Sequence, residues 1–164
     1  NVSTSIAACR KIFNISDVNI KNSMKKMRLK GRLEEIKSGK LKNLIGENRL
    51  IIDGGHNINS AISISNWVKQ QSEKVHLICG MMNDKPHKEF VNQFENSVNS
   101  ITLIDIPNQK GSISKEEFKK KLGNKNINTA GSIEESLLMN NKDKNCIFLC
   151  AGSLYLAGEV LNLN

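Results

Sequence analysis

From residue 49 onward the chain alternates between two hydrophobic patterns: short, nearly continuous apolar runs, and longer stretches in which apolar residues recur at helical spacing. Arg49–Asp53 is a short apolar run that ends at Gly54-Gly55. Asn57–Gln70 follows, with Ile58, Ala61, Ile62, Ser65 and Val68 on one helical face. Val75–Gly80 predicts the next strand, and Pro86–Phe94 a helix whose proline suits a first helical turn. Ile101–Ile106 predicts a third strand. Lys115–Leu122 predicts a helix capped by Ser114, with Glu116 and Glu117 in its first turn. Ile127–Thr129 reads as a short strand and Ser132–Asn140 as a capped helix. Cys146–Ala151 is apolar throughout, as a strand covered on both faces must be, and is therefore expected at the centre of a sheet. Gly152-Ser153 opens a last helix through Val160. This alternation predicts an α/β fold: a Rossmann-like, mostly parallel sheet flanked by helices.

Residues 1–48 have a different texture. Val2–Phe13 and Ser16–Met27 predict two short helices, Arg32–Ile36 a strand, and Ser38–Asn48 a polar connection. The segment reads as the end of something larger followed by a linker, with a domain of its own beginning at residue 49. Arg32 is expected at the end of that linker rather than on the sheet.

Composition narrows the class. The 164 residues suffice for one domain with a real core, and 38% hydrophobic with 24% charged residues is ordinary for a globular protein. No apolar run approaches the ~20 residues of a membrane span. The chain opens on Asn1 without a signal-peptide pattern, which predicts a fragment working in the cytoplasm. Cys9, Cys79, Cys146 and Cys150 form no C-x-x-C pair and read as small buried hydrophobes in a reducing compartment. The net charge of +8 gathers in nine Lys or Arg between Lys21 and Lys42, against Glu34 and Glu35. No aromatic residue lies between Asn14 and Asn66 to stack on bases, so the stripe argues against nucleic acid. It reads either as a solvated face or as an attractor of anionic small molecules.

In a parallel sheet, ligands bind beyond the carboxyl ends of the strands. Three strand-to-helix turns therefore matter. In Asp53-Gly-Gly-His-Asn57 the paired glycines let the backbone approach a ligand, Asp53 can accept from ribose hydroxyls, and His56 can sit where anions gather at a helix start. The alternative is a helix cap with a surface histidine. Gly152-Ser153 offers either a carboxylate or phosphate site behind Ser153, or simple capping. In Gly80-Met-Met-Asn-Asp-Lys85, Lys85 is either an anion contact or a lone surface lysine.

Taken together, the three turns resemble one family in order and wording. Asp53–Asn57 resembles the "DGAHNP" of folylpolyglutamate and dihydrofolate synthases, Gly80–Lys85 their "GxxxDKD", and Gly152-Ser-Leu-Tyr-Leu-Ala-Gly-Glu-Val160 their "GSLYLxGEV". Gly31-Arg32 is similar to the "WPGR" closing their central domain, and Asn1–Ala8 to the helix after "HQxxNAxxA". The chain departs from the pattern at Leu29-Lys30, where the family has Trp-Pro, at Ile58, where it has Pro, and at Pro86, where it has Asp.

The resemblance implies a Mur-ligase-type C-terminal domain over residues 49–164, preceded at 1–48 by the end of a central ATPase domain and a linker. It implies part of an ATP- and Mg²⁺-dependent, monomeric amide ligase that activates a carboxylate as an acyl phosphate for attack by glutamate, with dihydropteroate or folate as acceptor. No G-x-x-x-x-G-K-[ST] occurs, so the phosphate-binding domain is expected elsewhere and this chain alone to be inactive. Carried over, Arg32 and His56 are the catalytic residues, Arg32 contacts the ATP phosphates, and Asp53, His56 and Asn57 lie by the nucleotide. His56, Ser153 and Lys85 hold the incoming glutamate, and no residue is assigned to a metal. Another Mur-type ligase fragment, or a stand-alone nucleotide or amino-acid binding module, remain as alternatives.

Overall fold

The central strands of this protein send alternate side chains to opposite faces, and both faces find apolar partners. That is why the runs read from sequence as continuous rather than alternating. The computed structural model describes residues 2–27, 29–123 and 127–164. Asn1 and Arg28, the latter part of the basic stripe, lie outside the described residues. Two compact units divide between Lys30 and Gly31.

The first unit holds α1 (Val2–Ile12) and α2 (Asp17–Lys26). Ser16 caps α2, its side chain accepting from the Asn19 amide, and Arg10 pairs with Asp17. Neither helix has a buried residue, and Ile12, Phe13, Val18 and Met24 are exposed.

The second unit is built on β1 (Glu34–Ile36), β2 (Arg49–Asp53), β3 (Lys74–Cys79), β4 (Ser100–Leu103), β5 (Asn128–Thr129) and β6 (Cys146–Ala151). The order is β1-β2-β6-β3-β4-β5, parallel except for the antiparallel edge strand β1. The wholly apolar β6 lies between β2 and β3, as its composition requires. Ile51, Leu77, Leu103 and Leu149 face α4 (Ile58–Val68), α5 (His87–Asn92) and α6 (Lys115–Lys121), where Ile64, Phe90, Phe94 and Phe118 complete one core layer. Leu50, Ile52, Ile78, Phe148 and Cys150 face α3 (Lys40–Leu44), α7 (Ile133–Met139) and α8 (Leu154–Leu163), with Leu41, Leu137, Leu156 and Val160. No described helix is long and apolar enough to cross a membrane.

Several expectations are revised. Ser38–Asn48 is not a polar connection: Leu41 and Ile45 stand four residues apart in and just after α3, both buried, and Asn48 donates to the Asp143 carbonyl. Lys40 and Lys42, on either side of Leu41, masked that pair. Residues 31–48 belong to the second unit because β1 hydrogen-bonds to β2, so this unit starts at Gly31 rather than at residue 49. Pro86 is the N-cap of α5, not a residue of its first turn. Cys79, Cys146 and Cys150 are buried, and burial pushes the Cys150 thiol up to about 12 and the Cys146 thiol to about 11, but Cys9 is exposed.

Candidate functional site

Asp53 ends β2 at the carboxyl edge and is 5% exposed. A buried carboxylate needs donors. Oδ1 accepts from the Gly55 amide at 2.7 Å, and Oδ2 from the Leu33 amide at 2.9 Å. The Gly54 amide donates to the Gly31 carbonyl at 2.8 Å. The segment Gly31–Leu33 is thus tied to the end of β2, and Arg32 Nη1 comes within 3.7 Å of Asp53 Oδ1 with its side chain 45% exposed. Arg32 is anchored at the sheet edge rather than carried on a linker.

Asn57 caps α4. Its side chain accepts from the Ser60 amide at 2.9 Å while Ser60 Oγ accepts from the Asn57 amide at 3.1 Å, a reciprocal capping box. His56 Nδ1 lies 2.8 Å from the Gly54 carbonyl oxygen. A carbonyl can only accept, so in that bond Nδ1 carries the proton and the neutral ring keeps its lone pair on Nε2.

The register puts Asp53 and Cys79 both beside Ala151, so the turns after β2, β3 and β6 leave the sheet side by side. The Gly152 amide donates to the Gly55 carbonyl at 3.1 Å. Gly152 has φ +112°, and a Cβ there would stand 2.8 Å from the Gly80 carbonyl oxygen and 2.9 Å from Cys79 Sγ. Only glycine lets these turns converge. Ser153, 2% exposed, caps α8 by accepting from the Tyr155 amide at 3.1 Å. Leu154 lies over Gly54, where a Cβ would meet its Cδ2 at 2.2 Å.

The turn after β3 completes a cleft of about 280 Å³ lined by His56, Met82, Asp84, Lys85, Ser153, Leu154 and Tyr155. Lys85 Nζ pairs with Asp84 Oδ2 at 2.6 Å. That hydrogen bond chiefly, with attraction from the Lys85 ammonium, holds the Asp84 carboxyl below its usual range. One wall therefore offers an ammonium and the start of a ten-residue helix, which suit carboxylates; Asp84 and the His56 ring suit an ammonium.

Of the residues singled out from sequence, His56, Lys85 and Ser153 line this cleft. Arg32 and Asp53 form a second group at the end of β2, and Asn57 is occupied as a cap. Asp84 and Tyr155 were passed over, although both lie inside the motifs; nothing in their spacing marks them. Among the described residues no group of three or more His, Cys, Asp and Glu side chains is gathered to hold a metal ion. At the opposite edge, His76 Nδ1 lies 2.8 Å from Ser100 Oγ and Nε2 3.1 Å from Asp143 Oδ2. Asp143 also pairs with Lys74, so this trio ties together β3, β4 and the segment before β6.

Residues 31–154 match the family model described as Mur ligase, glutamate ligase domain. No curated protein matches the chain. Among solved structures it is similar to the bifunctional folylpolyglutamate synthase/dihydrofolate synthase of Yersinia pestis CO92, at 18% identity and TM-score 0.75, covering 92% of this chain and 34% of that one. It is similar to Escherichia coli FolC in complex with DHPP and ADP, at 20% identity and TM-score 0.75, covering 98% and 37%. A further bifunctional folylpolyglutamate synthase/dihydrofolate synthase, with Mn, AMPPNP and L-glutamate bound, matches at 19% identity and TM-score 0.72, covering 92% and 35%. The chain spans about a third of the length of these structures. The match over most of the second unit, together with the three-layer sheet and its converging turns, shows that the chain belongs to the Mur ligase glutamate ligase domain family.

Proposed function

We propose that this chain is the glutamate-binding part of an ATP-dependent amide ligase that extends a folate-type carboxylate, dihydropteroate or folate, with glutamate. The observation that carries the reading is the cleft in which Lys85, Ser153 at the start of α8, His56 and Asp84 meet. L-Glutamate bears two carboxylates and one ammonium, and the cleft offers partners of matching sign. Lys85 and the first amides of α8 take the carboxylates. Asp84 and the His56 Nε2 lone pair hold the ammonium; once it gives a proton to Nε2, the free amine attacks the acyl phosphate and phosphate leaves.

Arg32 is the nucleotide-side element. Its half-exposed guanidinium is held near Asp53 but has surface left to meet phosphate oxygens, which fits a nucleoside triphosphate. ATP with a divalent ion supplies the activation of the acceptor carboxylate as an acyl phosphate. The role of this chain is to fix a cation beside the transferring group. Asp53 acts in this reading by positioning Arg32, its oxygens being engaged by the Leu33 and Gly55 amides.

Residues 1–30 are read as the closing piece of a preceding ATPase domain, consistent with two helices that bury none of their own residues. The same reading makes the chain inactive alone, monomeric and cytoplasmic. Titration of the 164-residue chain with L-glutamate, followed by NMR, tests it. Shifts should centre on His56, Lys85 and Tyr155 and vanish in Lys85→Ala. Shifts confined to the opposite edge, or equal shifts with L-leucine, would remove the glutamate assignment.

A further inference from the structure

The turn that carries Asp84 and Lys85 into the cleft is short and exposed, and its own ion pair is a poor anchor. A Lys–Asp contact with its carboxylate this exposed is screened by solvent and stabilises little. Something else must hold the turn, and the structure assigns that task to His87, a residue that does not line the cleft. We propose that His87 is a positioning residue that sets the Met82–Lys85 turn in its binding geometry. The proposal deepens the reading of this cleft as an amino-acid site and rests on it only for its ligand arm.

His87 grips both ends of the turn. Its amide donates to the Lys85 carbonyl at 2.9 Å, and its ring Nε2 lies 3.1 Å from the Met82 carbonyl oxygen. That oxygen also accepts from the Lys85 amide at 3.2 Å, so the ring and the turn's closing hydrogen bond converge on one atom. The carbonyl can only accept, which fixes the ring proton on Nε2. The ring cannot drift: it is 6% exposed and meets the edge of Phe118 at 5.0 Å between centroids and 64° between planes. Pro86, with φ −78°, stiffens the link between the turn and His87.

From the outer side, the Asn83 amide donates to the Gly111 carbonyl at 2.8 Å, and the Ile113 amide to the Met81 carbonyl at 3.1 Å. The turn is thus laced to the 111–113 segment outside and stapled by His87 inside. Pro86 replaces the acidic residue of the family pattern, and Pro86-His87 together form the device by which this chain fixes the turn. His87 does not itself line the cleft, so its effect on a ligand runs through the lining residues of the turn it holds, Met82, Asp84 and Lys85.

Two variants of the full chain separate this from a general packing role. His87→Phe keeps a buried ring but removes the donor, whereas His87→Gln keeps an N–H within reach of the Met82 carbonyl. Loss of a buried hydrogen bond corresponds to roughly a tenfold change in a local equilibrium. The Lys85 amide should therefore exchange with solvent about tenfold faster in His87→Phe, and about as in wild type in His87→Gln. Amides of β3 and β6 should be unaffected in both. L-Glutamate binding, read from the Lys85 shift, should weaken by about the same factor in Phe and be rescued by Gln.

Equal exchange at Lys85 in wild type and Phe, or identical behaviour of Phe and Gln, would overturn the proposal. Should the Phe variant not fold, ring ¹⁵N shifts of the wild-type chain still decide. The Nε2–H tautomer of His87 supports the staple and an Nδ1–H tautomer refutes it. If wild type binds no L-glutamate, the amino-acid reading falls while the exchange and tautomer measurements still test His87.

Discussion

Replacing Asp53 separates two roles that its place in the motif leaves entangled. Its carboxylate is 5% exposed, accepts from two backbone amides and stands 3.7 Å from a guanidinium. Asp53→Ala removes the acceptor for the Gly55 and Leu33 amides at once. A hydrogen bond to a charged group contributes about 1.5–3 kcal/mol, and water entering at the sheet edge recovers part of it. The expected loss for the pair is then about 2–4 kcal/mol.

The Arg32 contact contributes little to that sum. A pair at this distance with the arginine 45% exposed is screened, and is worth less than about 1 kcal/mol. Arg32→Ala should therefore lie within about 0.5 kcal/mol of wild type. Asp53→Asn should fall between, since one amide keeps its acceptor while the new NH₂ faces a donor. Urea unfolding of the four proteins measures all of this, and hydrogen exchange at Leu33 and Gly55 localises it. Stability of Asp53→Ala within 0.5 kcal/mol of wild type, or an Arg32→Ala loss as large as that of Asp53→Ala, would show that the carboxylate is not the structural tie described here.

Gly152→Ala forces a left-handed φ and a 2.8 Å approach to the Gly80 carbonyl oxygen, and should destabilise by about 2–4 kcal/mol in thermal or urea unfolding. Burial chiefly drives the pKa values of His76 and His87 below their ordinary 6.5, so the unfolded chain binds these protons more readily. Their contribution to stability is complete above that value and declines as pH falls through it toward the folded values, at up to about 1.4 kcal/mol per pH unit for each histidine. Unfolding measured from pH 7.5 to 5 should show this slope, and His76→Gln should flatten it. In a longer gene product that includes a phosphate-binding domain, Arg32→Ala should lower kcat by roughly two to three orders of magnitude, with Arg32→Lys recovering part. Unchanged turnover would refute the assignment of Arg32 to the phosphates.

The order of strands and helices after residue 49 is local information. Continuous apolar runs and helical periodicity each span a few residues, and caps such as Ser114, Ser132 and Ser153 announce themselves beside the turns they close. That order, with the rule that ligands meet the carboxyl ends of parallel strands, is enough to bring three turns to one edge. The apolar composition of β6 likewise fixes its central place. What only the tertiary structure decides depends on partners far apart in the chain. The Leu33 amide finds Asp53, and that contact ties the segment carrying Arg32 to the end of β2. Asn57 is taken up by its own helix, while Lys85 and His56 come to share a cleft with Ser153. Leu41 and Ile45 become core once β1 and α3 fold back onto β2 and α7, although Lys40 and Lys42 flank Leu41 in sequence. Local patterns state which side chains want burial or a cap; which hydrogen bond a given carboxylate or imidazole makes is settled only when the sheet brings distant backbone amides within about 3 Å of it.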